Sequence, residues 1–334
     1  MEKLALVQPT AITLAERASR ALGREVWVKH DNATHPRYGG NKVRKLEHLL
    51  AEARAEGATD VITAGAAGSH HVLATAVHGG AAGFSVEAVI TPRPRAEHAV
   101  VTLRATLAQG ATLHPAANPA EALVQVLSRV TVLRAQGRSP FVIRPGGSSP
   151  RGALAYVEAM AEAAEQLRTL GIAPVDAMVV PLGSGGTLAG MMAGARLHRV
   201  ETKLVGVRVA GAWMSPRPAI ATLAEGALAL AAPGDDVPKS FRRSEVNAVE
   251  DQVGEGYGHP TDAAREALAL LAEDGVALDL TYTAKAAAGL IALARKSPPG
   301  TRYLFWNTLS SAPLGGLMQD TATPIPEHLD ALLR

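Results

Sequence analysis

The residues with the clearest capacity for chemistry are Gly39-Gly40-Asn41-Lys42-Val43-Arg44-Lys45-Leu46-Glu47. Two glycines let the chain turn closely before a helix. Lys42 then falls in the first helical turn, whose positive end disfavours an ammonium. Arg44 and Lys45 add cationic repulsion. A neutral amine is what Schiff-base chemistry requires. The same stretch would equally make a capped surface helix with a basic first turn. A second group is Gly183-Ser184-Gly185-Gly186-Thr187, after the apolar run Ala177 to Pro181 and before a small-residue helix. Successive backbone N–H groups at such a turn form an anion nest, and Ser184 and Thr187 add hydroxyl donors, so a phosphate is the natural guest. It is neither a Walker loop nor a full dinucleotide fingerprint, because no Gly-Lys-Ser/Thr follows and Leu188 stands at the third glycine position. A tight structural turn is the other reading.

Gly65-Ala66-Ala67-Gly68-Ser69-His70-His71 also joins an apolar run to a helix and offers a second anion site, suited to a carboxylate. Adjacent histidines on a helix diverge by about 100°, so they do not readily share one metal ion, and no metal site is expected. Tyr257 in Gly-Tyr-Gly and Tyr282 in Leu-Thr-Tyr-Thr are two of only five tyrosines. Each can stack, hydrogen-bond or relay a proton, or simply belong to the core or its rim.

The elements that must position these groups alternate. Short runs at 25–29, 60–64, 85–91, 141–144, 177–181, 204–209 and 303–306 read as strands, with helical patterns between them. Asn41 is expected to cap a helix over 41–56, with Val43, Leu46, Leu50 and Ala53 on one face and Gly57 ending it. Residues 219–232 read as an Ala-rich helix or a helix plus turn, and 233–238 as a surface loop. The pattern predicts an α/β fold with parallel sheets. No linker stands out, so two domains would require the chain to pass between them more than once.

Composition narrows the function. The 334 residues are 47% hydrophobic, enough for one large or two modest cores. The net charge is +2 with dispersed basic residues, and aromatics are 4%, which argues against nucleic acid as a partner. Cysteine is absent, excluding disulfides and thiolate catalysis by the protein and making a reducing cytoplasm the default. The N-terminal MEKLALVQPT lacks a signal-peptide pattern, and no apolar run reaches the roughly 18 residues of a membrane span.

Taken in order, these motifs resemble the D-cysteine desulfhydrase and 1-aminocyclopropane-1-carboxylate (ACC) deaminase family, among the fold-type II pyridoxal-phosphate enzymes. The resemblance runs through Lys29-His30-Asp31-Asn32, the Gly40 to Glu47 block, Thr63 to Ala76, Pro145-Gly146-Gly147-Ser148, Gly152, Ala155-Tyr156, Gly183 to Gly190 and Asp279 to Lys285. It implies two open, parallel-type sheet domains with helices on both faces, similar to the tryptophan synthase β fold. Residues 1–45 with 155–334 would form a larger phosphate-binding domain, and 46–154 a smaller one supplying the substrate carboxylate site. Pyridoxal 5'-phosphate would be held as a Schiff base on Lys42, with its phosphate on Lys45 and the amides of Gly183, Ser184, Gly185, Gly186 and Thr187. Ser69 and the helix start behind it would hold the substrate carboxylate, and Tyr257 and Tyr282 would line the pocket. His70 would take the place of an asparagine that meets the cofactor ring in the family. The pyridine nitrogen would face a neutral partner or a carboxylate near Thr283 or Thr308.

The deaminase branch has Glu directly after the pocket tyrosine; here it is Thr283. The resemblance therefore favours a desulfhydrase-like α,β-elimination on a small amino acid, giving a keto acid and ammonia, by a homodimer in the cytoplasm. ACC deamination, a cofactor-holding protein without turnover, and a nucleotide binder using the Gly183 loop are the alternatives. The second is motivated by Leu73 in place of a family arginine and by Leu309-Ser310-Ser311 in place of a Thr-Gly-Gly-like turn.

Overall fold

The strands are β1 (Ile12–Leu14), β2 (Glu25–Lys29), β3 (Asp60–Ala66), β4 (Ser85–Thr91), β5 (Thr112–Pro115), β6 (Pro140–Val142), β7 (Ala177–Leu182), β8 (Lys203–Arg208), β9 (Ala248–Val249) and β10 (Arg302–Trp306). They form a six-stranded sheet in the order β1-β2-β10-β7-β8-β9 and a four-stranded sheet in the order β5-β4-β3-β6. Every pairing is parallel except the edge pair β1–β2. The computed structural model describes residues 5, 7, 9–234, 237–318 and 324–334. Asp235 and Asp236 of the expected 233–238 loop, and most of the segment read for a signal peptide, lie outside the described residues.

The helices are α1 (Glu16–Leu22), α2 (Asn41–Ala55), α3 (His70–Ala81), α4 (Glu97–Ala108), α5 (Pro119–Ala135), α6 (Pro150–Thr169), α7 (Gly186–Leu197), α8 (Arg217–Ala231), α9 (Asp262–Ala272), α10 (Thr283–Ala294) and α11 (Glu327–Asp330). They cover both faces of each sheet, which is why the central strands read as unbroken apolar runs. Met178, Val180 and Leu182 of β7 enter a core with α6, α7 and α8, while Ala177 and Val179 face α1, α9 and α10. In the smaller sheet Val61 packs with α2, α3 and α4, and Ile62 with α5.

Residues 219–232 are helical almost throughout, as α8. The C-terminal stretch crosses back. Leu317, Leu329, Leu332 and Leu333 are buried in the core of the four-stranded sheet, and Arg93 N–H bonds Leu332 O while Arg334 N–H bonds Arg93 O, each at 2.9 Å. As folding units we propose 1–45 with 155–334, and 46–154, with the described residues 314–318 and 324–333 as a strap from the first onto the second. The strap has a physical reason: its four leucines would otherwise be left in water.

Gly183, Ser69, Arg93 and Thr308 all follow the carboxyl ends of parallel strands, β7, β3, β4 and β10 respectively. That is the end of an open parallel sheet at which ligand crevices form.

Candidate active site

Helix α2 begins at Gly40, which is its N-cap at φ 91°. A Cβ there would lie 2.8 Å from Thr308 O, so both conformation and space demand glycine. Asn41 is therefore not the cap expected from sequence; it is the first helical residue, and its side chain works sideways. Its Nδ2 donates to Thr187 Oγ1 at 3.1 Å and its Oδ1 accepts from Lys42 Nζ at 3.0 Å. Burial lowers the Lys42 pKa to about 8, against a partly opposing Asp279 carboxylate. At pH 7 that leaves roughly a tenth of the amine neutral, against about one part in three thousand for an ordinary lysine.

One turn on, the fully buried Lys45 Nζ donates to Gly146 O at 3.0 Å, and burial followed by repulsion from Lys42 holds its pKa well below the usual lysine range. It faces the loop between β7 and α7. Gly185 is the N-cap of α7 at φ 90°. Gly186 N–H donates to Ser148 Oγ at 3.2 Å, and Ser148 Oγ donates to Ser184 Oγ at 2.7 Å. A Cβ on Gly186 would sit 2.7 Å from Ser148 Oγ and 3.1 Å from Lys45 Nζ. Three hydroxyls (Ser148, Ser184, Thr187), a lysine and a helix N-terminus thus converge on a space only glycine leaves open, which is an anion cradle.

The turn after β3 makes a second. Ser69 is the N-cap of α3, yet its hydroxyl caps no helix amide and lines the cavity instead. His71 Nε2 meets Thr63 Oγ1 at 2.9 Å, and that hydroxyl already donates to Ile143 O at 2.8 Å. The proton must then sit on Nε2, leaving Nδ1 as a buried lone pair without a partner among the described residues. His70 Nδ1 bonds the buried Tyr38 hydroxyl at 2.7 Å while its Nε2 is buried and unpartnered among the described residues. If Tyr38 donates, the Nε2 proton is an unspent donor at the cavity wall. Burial lowers the His70 pKa to about 4, so the ring is neutral.

Tyr257 and Tyr282 are brought together. Their hydroxyls hydrogen-bond and their rings meet edge to face at 5.6 Å. Lys285 fixes this pair by donating to Val253 O at 2.7 Å and Gly256 O at 3.0 Å, pinning the loop that carries Tyr257. The expectations for Thr283 and Thr308 separate. Thr283 is fully buried, accepts from Asp279 N–H at 2.8 Å and donates to Asp279 Oδ1 at 2.7 Å, so its hydroxyl is consumed and it does not line the cavity. Asp279 does line it, but its carboxylate caps α10 through the amides of Thr281, Tyr282 and Thr283. Thr308 lines the cavity with its hydroxyl uncommitted among the described residues.

These groups share one cavity of about 1000 Å³, lined by Lys42, Lys45, Ser69, His70, Gly183, Ser184, Gly185, Thr187, Tyr257, Tyr282 and Thr308. Only Gly186 and Thr283 of the predicted site residues stay off its wall, and Gly186 lies directly behind it. Sequence residues 4–308 match the family described as pyridoxal-phosphate dependent enzyme. The chain belongs to that family. It is 37% identical over 297 residues to a D-cysteine desulfhydrase of Salmonella schwarzengrund, covering 85% of each chain. A crystal structure of an ACC deaminase homologue superposes with a TM-score of 0.81 at 30% identity, over 95% of this chain and 97% of that one. Threonine deaminase isoform 2 of Solanum lycopersicum shares the fold at a TM-score of 0.64 and 17% identity, over 98% and 84%.

Pyridoxal phosphate is the cofactor of this family, and the residues present fit it: a neutralised lysine for its aldehyde and an anion cradle that a single Cβ would fill. Among the described residues no cluster of three metal-ligating side chains occurs, and no helix is long and apolar enough to cross a membrane. Sequence reading missed Tyr38, Asp279 as a cap, and Arg93. A local signal existed only for Asp279, four residues before Thr283 and just ahead of an apolar helix.

Proposed function

We propose that this pyridoxal-phosphate enzyme carries out α,β-elimination on a small amino acid, with D-cysteine the first substrate to test, releasing a keto acid and ammonia. Lys42 anchors the cofactor, and Lys45 with Ser148, Ser184, Gly186 and Thr187 holds its phosphate. Bound, the cofactor supplies an electron-accepting ring that acidifies the substrate α-carbon. Lys42 Nζ, freed as an amine, would take the α-proton. Ser69 and the first-turn amides of α3 bind and orient the carboxylate. The Tyr257–Tyr282 hydroxyl pair is placed to pass a proton to the leaving group. Thr308, whose hydroxyl is uncommitted among the described residues, would offer the pyridine nitrogen a neutral partner. A neutral partner suits elimination better than ring opening, which favours this reading over ACC deamination.

The observation that carries the reading is the depressed Lys42 amine beside the Gly186 cradle in one cavity. The same proposal includes a homodimer acting in the cytoplasm, the first checked by sedimentation. The decisive experiment is borohydride reduction of the yellow protein followed by peptide mapping and a screen with D-cysteine and ACC. Label on Lys42 with keto acid from D-cysteine is expected. A protein that stays colourless with added pyridoxal phosphate, or a Lys42→Ala variant with full turnover, overturns it.

A further inference from the structure

One strong charge in the cavity has no role in that scheme. Arg93 follows β4 between Pro92 and Pro94, and is only 4% exposed. Its main chain is locked by the strap through Leu332 and Arg334. Its Nε donates to Pro94 O at 3.3 Å, and its Nη2 to Thr281 Oγ1 at 3.2 Å and His98 Nε2 at 3.3 Å. All three acceptors are neutral: His98 accepts through a lone pair, and burial keeps its ring below the usual histidine pKa. The guanidinium stands 5.5 Å over the Tyr257 ring, and Gly258 leaves it room, since a Cβ there would lie 3.2 Å from Nη2. Nη1 bonds nothing among the described residues, and no carboxylate pairs with Arg93 among them. Asp279, the only carboxylate on the cavity wall among the described residues, is spent on α10.

A guanidinium only 4% exposed on the cavity wall, with one prong unbonded and no carboxylate partner among the described residues, is an arrangement that an anion would complete. Two anions already have places: the cofactor phosphate at Lys45 and Gly186, the α-carboxylate at Ser69. We propose that Arg93 recognises a third, an anionic substituent on the β-carbon of the substrate, which would place that substituent beside the Tyr257–Tyr282 pair. The inference rests on the elimination reading above and names the substrate class: amino acids X–CH2–CH(NH3+)–COO− in which X itself carries negative charge. The α-proton goes to Lys42, the Cβ–X bond breaks with its electron pair on X, and one water is consumed in releasing 2-keto acid, ammonium and X.

The holoenzyme tests this with two probes in both enantiomers: 3-sulfoalanine, whose β-substituent is charged, and β-chloroalanine, whose substituent is not. Keto-acid release gives kcat/KM for each. The dissociation constant of 3-sulfoalanine is read separately from the change in the visible band. Arg93→Met is expected to reduce the preference for 3-sulfoalanine by about a hundredfold and to weaken its binding similarly. Arg93→Lys, which keeps charge without the fork, should recover part of both, and reports if the Met variant fails to fold. An unchanged preference overturns the proposal, as does an equal loss on both substrates, which would mean that Arg93 holds the α-carboxylate. If wild type eliminates from β-chloroalanine but ignores 3-sulfoalanine, this inference alone falls. If it releases keto acid from neither, the elimination reading falls and takes this one with it.

Discussion

Two buried clusters of charge lie on opposite sides of helix α2, and they are built on opposite terms. Beneath the helix, Asp31 is fully buried and accepts from Arg44 Nε at 3.0 Å, Arg44 Nη2 at 2.8 Å, Thr10 at 3.1 Å, and Tyr156 and Trp306 at 2.6 Å each. Arg44 also bonds Glu162 at 2.9 Å, and Lys29 bonds Glu162, Gln166 at 2.8 Å and Thr10 O at 2.6 Å. Burial pushes the Asp31 pKa up, but Arg44 and Lys29 together overrule it and hold the carboxyl below its ordinary value. Above the helix, Lys42, Lys45, His70, His71 and Arg93 share the cavity wall with Asp279, its one carboxylate among the described residues. There burial wins, and Lys42, Lys45, His70 and His71 are all driven toward neutrality. A closed network specifies where α2 sits; an open one waits for ligands.

The comparison can be broken at either end. Lys42→Ala should cost the most activity, roughly a thousandfold or more in keto-acid release, because it removes both anchor and proton acceptor. Its thermal midpoint should stay near that of wild type; a large drop would mean that Lys42 belongs to the structural network after all. Arg44→Met should do the reverse, lowering unfolding free energy in urea by about 3–5 kcal/mol by stranding Asp31. Retained stability would dissolve the distinction. A smaller effect sharpens it. In the cofactor-free protein Lys42 loses its proton near pH 8, whereas an unfolded lysine keeps it to about 10.5. Between those values the unfolded chain holds more protons, so wild-type stability should rise with pH relative to Lys42→Met, and reductive trapping of pyridoxal phosphate should speed up. A flat difference across that window would place the Lys42 pKa at its ordinary value. Smallest of all, Tyr38→Phe removes one neutral hydrogen bond to His70 and should cost about 1 kcal/mol, measured by urea titration.

What could be read in the sequence followed from how local each cause is. The β2 and β4 bounds were legible to the residue, and α2 nearly so, because each carries an apolar period, with Gly57 marking the end of α2. Strands β1 and β9, three and two residues long, are too short for any period, and β5 ends on Pro115. Lys42 and the Gly183 loop could be singled out from their own residues, whereas Lys45 as a phosphate partner came only with the resemblance; all three line one cavity. Asn41 was misassigned as a cap because the spacing does not reveal that Thr308 O crowds Gly40. Thr283 was misplaced for a related reason: Asp279, four residues earlier, claims its hydroxyl. Tyr38 and Arg93 matter through partners 32 and 188 residues away, and no local pattern encodes such meetings.

The position of β10 has a temporal consequence. It is the last strand in the chain, yet it lies between β2 and β7 in the middle of the larger sheet. On a ribosome, the four strands of the smaller sheet, all within residues 60–142, can pair long before the larger sheet has its centre. The Gly183 loop at the end of β7 has β8 beside it early but gains its second neighbour, β10, only when residues 302–306 have emerged, and Gly40 meets Thr308 no sooner. The cavity around Lys42, with Thr308 on its wall, is thereby completed only in the closing moments of synthesis.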